Sequence, residues 1–458
     1  MNQTIVDKFI AILGKDCVLT DDEDLFCYSY DATPLVDTEL PDIVLLPKST
    51  EHVAEIVRIA AENRIPVYPR GAGTNLSGGA VPLKKGITLS LLDMNRIIEI
   101  DKENLTATVE AGVVIQSLVD AVDPFGLLYP PDPGTVQTAT MGGSVAECSG
   151  GLRGLKYGIT KDYVLGVKVV LADGSIVNYG GKTVKNVSGF DMKSLFVGSE
   201  GTLGIITEIL VKLVPKPEAR RSFMITYYDL DKAANTIREI ISNKVIPATL
   251  EILDNITIRA VEEHKKIGLP VDAEAVLLIE VDGIAGAVEQ EAKKVKDICT
   301  QCGADTIFVA EDDSRREEIW AARRAALPSL VRMRPTTILE DATVPRSEIP
   351  AMIRAVREIS KNNDVMIGTF GHAGDGNLHP TILTDERDPV EMERVHKAIA
   401  EIFDKALELG GTLSGEHGIG MAKAGFMPRQ FSEAELGMMR KVKKAFDPDN
   451  ILNPGKFV

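Results

Sequence analysis

Basic residues are scarce beside acidic ones: 51 Lys and Arg stand against 67 Asp and Glu in 458 residues, a formal net charge of −16. A nucleic-acid or anionic-membrane surface needs clustered Lys and Arg, so that balance argues against both. A small anionic ligand stays open, because one local Arg outweighs a distant acidic surface. Long apolar runs are missing too. None approaches the roughly 20 residues of a spanning helix, and the opening MNQTIVDKFIAILGKD lacks the basic region and long apolar core of a signal peptide. A soluble, cytoplasmic protein is expected. Five cysteines, an odd number, make no disulfide framework. Cys299 and Cys302 form a lone CxxC at the end of a helical pattern, which reads as two thiols on a helix end. It cannot close a four-cysteine zinc site, and no cysteine run suits an iron–sulfur cluster.

What remains is an ordinary globular balance, 44% hydrophobic and 26% charged. The chain is too long for one core, so two or three domains are expected. After a helical lead-in and a loop, DIVLLP (Asp42 to Pro47) reads as a buried strand. A helix follows, with Val53, Ile56, Val57 and Ala60 at i, i+3, i+4 and i+7, and then the strand PVYPRG. Strands and turns continue to about residue 215, with Asp173-Gly174 marking a hairpin. From Ser222 strand, helix and strand alternate, as in antiparallel sheets covered on one side by helices. The predicted class is α+β, with domains at 1–217 and 218–418 and a C-terminal segment, 419–458, docking back on the first.

Three glycine-rich runs lie in the first domain. Pro69-Arg70-Gly71-Ala72-Gly73-Thr74-Asn75-Leu76-Ser77-Gly78-Gly79 follows a strand but lacks the dinucleotide fingerprint spacing. Pro130-Pro131-Asp132-Pro133-Gly134 leads to Met141-Gly142-Gly143-Ser144-Val145-Ala146-Glu147-Cys148-Ser149-Gly150-Gly151, and SEGTLGIITE carries Gly201, Gly204, Ile205 and Ile206. Without Cβ atoms, such runs bring backbone N–H groups close to an anion. One alone reads as a plain loop; three suggest one long ligand, such as a dinucleotide with its pyrophosphate. The ordered set resembles the FAD-binding domain of the vanillyl-alcohol oxidase and p-cresol methylhydroxylase superfamily. That resemblance implies FAD, with the first two runs at the pyrophosphate, the third along the adenine and flavin side, and Asn453 of the tail as a further contact. The first loop offers Thr74 and Asn75 where some members have a flavin-linking His, so non-covalent FAD is expected.

Three of the six histidines fall in two short motifs, His372-Ala-Gly-Asp-Gly-Asn-Leu-His379 and Gly415-Glu416-His417-Gly418. A single such His reads as a satisfied loop residue. Two imidazoles folded together by a Gly-Asp-Gly turn, joined by Glu416, form a catalytic metal set with positions left for substrate. Asp375 and Asn377 read as turn formers. Adjacent side chains diverge, so His417 is expected to stand apart from the ion and serve as a base. A hydrolytic zinc enzyme would leave the glycine runs unexplained.

With these motifs the chain resembles the D-lactate dehydrogenase, D-2-hydroxyglutarate dehydrogenase and glycolate oxidase D-subunit branch, over nearly its whole length. The resemblance implies a divalent metal (zinc, iron or manganese) on His372, His379 and Glu416, and His417 as catalytic base. Trp320-Ala-Ala-Arg323 matches a WxxR motif whose Arg grips the substrate carboxylate. Pro380-Thr381 after His379, with Leu327 and Leu339, favours a short apolar substrate. D-lactate is the first choice, with glycolate or D-2-hydroxyglutarate as alternatives. An electron-transferring flavoprotein is the first-choice electron partner and an iron–sulfur subunit the second. Self-association is left open.

Overall fold

The computed structural model describes residues 1–34 and 38–457; Leu35, Val36 and Asp37 of the expected lead-in loop, and Val458, lie outside the described residues. The chain divides into two compact units, one of 1–149, 159–216 and 416–458, the other of 150–158 and 217–415.

In the first unit, the apolar Ile43–Leu45 runs parallel to Ile87–Ser90, which in turn runs parallel to Val67–Arg70. The connecting helix Thr50–Asn63 starts where Ser49 Oγ accepts from the His52 amide at 3.2 Å. It buries Val53, Ile56, Val57 and Ala60, the stripe that its spacing predicts. Val67–Arg70 is an edge strand of that sheet, which is why it tolerates Pro69. The tail adds to this strand: the Val67 amide donates to Ile451 O, the Asn453 amide donates to Val67 O, and Val67 pairs with Leu452 in parallel. A second, five-stranded antiparallel sheet runs Ile97–Asp101, Thr106–Glu110, Ile205–Lys212, Val164–Val170, Ile176–Gly180. Its last two strands turn at Asp173-Gly174 with Gly174 at φ 81°, the hairpin expected from the dipeptide.

Among the described residues of the second unit, an antiparallel sheet runs in the order Thr306–Val309, Ala219–Tyr227, Ala275–Gly283, Thr249–Asp254, Met366–His372, Asn377–Thr384, Thr336–Leu339. Helices cover both faces at its centre, which corrects the expectation of one-sided cover. Val276 and Leu278 join Leu253, Ile258, Trp320 and Ala326 in one core. Leu277, Ile279 and Val281 point the other way by strand alternation and are equally buried; the helices Leu230–Ser242 and Ala285–Gln301 pack there. Residues 150–158, placed with the first domain in the sequence reading, group with this unit. Lys156 Nζ lies 2.6 Å from Asp282 Oδ1, and Tyr157 donates to Asp282 Oδ2 at 2.7 Å. Trp320 does more than pack: its indole N–H donates to Glu280 at 3.1 Å, a carboxylate also held by Arg316 and Ser222.

Asp254 joins strand to helix. Its Oδ1 accepts from the Thr257 amide, capping the helix Asn255–Lys265, and its Oδ2 accepts from the Thr369 amide. Burial, outweighing those hydrogen bonds, pushes its pKa up to about 6. The folded state therefore holds this proton more tightly than the unfolded chain does. The associated stability is complete below about pH 4 and is lost as pH rises through about 6. Urea unfolding should show the wild-type stability falling relative to Asp254→Asn by about 2–3 kcal/mol between pH 4 and 7.

Candidate active site

In the first unit, the strand Val67–Arg70 releases the chain into the first glycine run. Asn75 Oδ1 accepts from the Ser77 and Gly79 amides at 2.8 and 2.7 Å, and Thr33 Oγ1 accepts from Gly78 at 2.6 Å. The six amides before them, Gly71 to Leu76, are half-buried, and among the described residues nothing accepts from them. A row of unclaimed N–H groups on a loop this rich in glycine fits a pyrophosphate. Arg70 is turned inward, with Nη1 on Tyr30 O at 2.7 Å.

The other expected cofactor segments interlock with this loop. Thr140 Oγ1 caps the short helix Met141–Glu147 and stands where a Cβ on Gly71 would fall. The Gly198 and Glu200 amides donate to Val145 O and Ala146 O. Gly201, at φ 70°, lies so close that a Cβ there would come 2.5 Å from Pro69 Cγ. Asn453 Nδ2 donates to Gly79 O at 2.9 Å and Glu200 O at 2.7 Å. Lys456 is buried beside it on Gly78 O and Val81 O, and burial pushes its pKa down to about 8. Ser144, Ser149 and Thr160 share a hydroxyl cluster. Pro131 is buried, while Asp132 and Pro133 are half-buried in the turn that follows. Ile205 and Ile206 open a buried strand just after Gly204. Gly150 alone of these expected residues falls in the second unit.

The segment carrying Glu416 and His417 is bolted to the same framework. Ser77 Oγ donates to His417 O at 2.9 Å, and Glu200 accepts from the Ile419 and Gly420 amides, both at 2.7 Å. Gly418 adopts φ 82°, and Glu147 occupies the place a Cβ there would take. Burial and then the neighbouring Glu200 carboxylate push the Glu147 carboxyl well above its usual range. His417 Nε2 lies 4.0 Å from Glu416 Oε1. The expectation that these side chains diverge is thus corrected: a backbone turning through glycines on both sides lets neighbours converge.

In the second unit, the expected histidines and arginine lie on one face of the sheet. His372 ends the strand Met366–His372, and His379 sits on Asn377–Thr384, facing Phe370 across the ladder. The imidazoles are buried, edge to face, with ring centroids 5.1 Å apart. Arg323, on the helix Asp313–Arg324, lies over the Phe370 ring at 4.8 Å, and that ring stands 5.4 Å from His379. Glu251 closes the circuit from Thr249–Asp254: Oε1 is 2.7 Å from His372 Nδ1 and Oε2 accepts from Arg323 Nε at 2.5 Å. Burial alone would raise its pKa, but His372 and Arg323 overcome that and hold it below the usual carboxylate range. Nearby Asp341 accepts from Asn377 Nδ2 at 2.5 Å, Ser414 Oγ at 2.7 Å and the Gly415 amide at 2.8 Å, and lies 3.8 Å from His379 Nδ1. Asn377 therefore does more than shape a turn. Two converging imidazoles, one with its Nδ1 spent on a carboxylate, suit a divalent ion with nitrogen and oxygen ligands.

Sequence reasoning missed Glu251 and Asp341. The signal for Glu251 was one acid inside the apolar run ATLEIL; for Asp341 it was an acid pair inside ILEDATVP.

A two-unit protein with a glycine cradle in one unit and a buried His/Arg/carboxylate face in the other has the parts of a flavin-dependent oxidoreductase. The models "FAD binding domain" and "FAD linked oxidases, C-terminal domain" match residues 41–180 and 216–457. Over 456 residues the chain is 50% identical to glycolate oxidase subunit GlcD of Bacillus subtilis, covering 100% of this chain and 97% of that one. It is 38% identical to a D-lactate dehydrogenase of Archaeoglobus fulgidus over 94% of this chain and 95% of the other. The fold matches p-cresol methylhydroxylase with a TM-score of 0.82 at 19% identity, over 99% and 96% of the two chains. The chain belongs to the FAD-linked oxidase family. Among the described residues no helix is long and apolar enough to cross a membrane.

Glu200→Ala would strand two amides of the segment that carries His417. It should lower the unfolding free energy by about 2–4 kcal/mol. Hydrogen exchange should show faster exchange confined largely to Ile419, Gly420 and their neighbours.

Proposed function

We propose that the protein oxidises a short 2-hydroxy acid to the 2-oxo acid, using non-covalent FAD and one divalent metal held by His372, His379 and Glu416. The observation that carries this reading is Arg323: its Nε is taken by Glu251, and among the described residues neither Nη hydrogen-bonds, leaving a fork suited to a carboxylate beside two imidazoles. Leu327 and Leu339 pack on the apolar core at this face, so substrate polarity beyond the carboxylate and hydroxyl finds no match there. That favours hydrogen or methyl on the substrate Cα over a second carboxylate. Glycolate is placed ahead of D-lactate, reversing the order drawn from the sequence, because a relative named as a glycolate oxidase subunit shares 50% of its residues.

Arg323 holds the substrate carboxylate and fixes the orientation of Cα. His417 takes the hydroxyl proton at Nε2 as the carbonyl forms. His372, His379 and Glu416 would hold a divalent ion, whose Lewis acidity would make that hydroxyl easier to deprotonate. Bound FAD supplies the two-electron acceptor for the hydride leaving Cα. The Gly71 to Leu76 amides would hold a pyrophosphate, and the residues of the second and third glycine runs would complete the FAD cradle. The word "subunit" in the relative's name supports electron transfer onward to a partner protein, an iron–sulfur subunit or an electron-transferring flavoprotein.

Anaerobic addition of glycolate or D-lactate should bleach the flavin absorbance, and L-lactate should not. Equal bleaching by both lactate enantiomers, or none by any of the three acids, would sink the reading. His417→Ala should keep the flavin spectrum and lose about 10²–10⁴-fold in turnover. Full activity after exhaustive chelation would remove the metal from the proposal.

A further inference from the structure

We propose that Glu251 is a positioning residue that sets the tautomer of His372 and the aim of Arg323 at once, coupling metal binding to substrate binding. The inference rests on the reading of those two residues just given. It starts from an oddity: Glu251 is fully buried on a strand whose neighbours Leu250, Ile252 and Leu253 are core residues. A buried ion pair adds little net stability compared with apolar packing, so stability alone is a weak reason for an acid here.

The carboxylate divides its oxygens between two partners, Oε1 for His372 Nδ1 and Oε2 for Arg323 Nε. An ionised carboxylate only accepts hydrogen bonds, so His372 must carry its proton on Nδ1. In the neutral imidazole the lone pair is then on Nε2, the atom that would ligate a metal. Tying Arg323 by Nε leaves both Nη groups for a bidentate contact, and Phe370 beneath the guanidinium limits its rotation. The contacts close on themselves, from Glu251 to His372, His379, Phe370, Arg323 and back to Glu251. Displacing one member therefore disturbs the others.

Glutamine fills the same space but has one accepting oxygen and a donating NH2, so it can satisfy both partners only if His372 moves its proton from Nδ1 to Nε2. In the FAD-loaded enzyme, Glu251→Gln should weaken Zn(II) binding about ten- to hundredfold and raise the KM for glycolate or D-lactate. Nitrogen-15 NMR of histidine-labelled, metal-free protein gives a readout independent of turnover. With the His372 signal assigned by its loss in His372→Gln, wild type should show the Nδ1–H form and Glu251→Gln should lose it. A lowered melting temperature with unchanged Zn(II) affinity, KM and tautomer would overturn the proposal, since Glu251 would then be structural only. Should Glu251→Gln fail to fold, wild type alone decides: an Nε2–H tautomer at His372 overturns the inference and an Nδ1–H tautomer supports it. Wild type that shows the Nδ1–H form but binds no Zn(II) would remove the metal reading while leaving the role of Glu251 standing.

Discussion

One carboxylate, Glu251, ties together the histidine–arginine face of the second unit. A charge with no access to water is tolerated only when it is paired and hydrogen-bonded. The fold meets that condition by bringing a helix arginine and a strand histidine to the same acid. This requires Thr249–Asp254 to lie beside Met366–His372, which the sheet order delivers, and Arg323 of Asp313–Arg324 to reach Glu251 on one and Phe370 on the other. The same polar groups on loops would need separate supports. Here they stand on strands and a helix whose other residues form the core.

The first unit works by a related rule with backbone as the partner. Glu200 and Asn453 hold loop amides and carbonyls at points where no regular ladder runs. Their work is to fix irregular chain, which a glycine-rich cradle needs because glycine leaves the unfolded state so many conformations to lose. Amides committed to Asn75 and Thr33 flank the uncommitted run, so the loop is held at one end and open along the part that would face an anion.

Features set by near neighbours could be read from the sequence. The stripe of Val53, Ile56, Val57 and Ala60, and the Asp173-Gly174 turn, depend on contacts a few residues apart, and both stand in the structure. The two histidine motifs were visible because glycine and histidine are informative when concentrated. What escaped were pairings over long separations. Lys156 and Asp282 lie 126 residues apart, so nothing local shows that 150–158 leaves the first unit. Glu251 and His372 are 121 apart, and a lone acid in an apolar strand gives no hint of its partner. One-sided helix cover failed because a strand buried on both faces, such as Ala275–Gly283, looks the same whatever covers it.

The pairing of Ile451 to Asn453 with Val67 bears on how the protein is made. At about 5–20 residues per second, the strand Val67–Arg70 leaves the ribosome many seconds before the segment that braces it. The second unit has no such wait, since its residues, 150–158 and 217–415, all emerge before that segment does. The cradle would then be the later of the two to reach its final form, with its glycine loop held only in part until the tail arrives. A nascent chain that stops short of Ile451 would carry a complete histidine–arginine face and a glycine loop still without that brace.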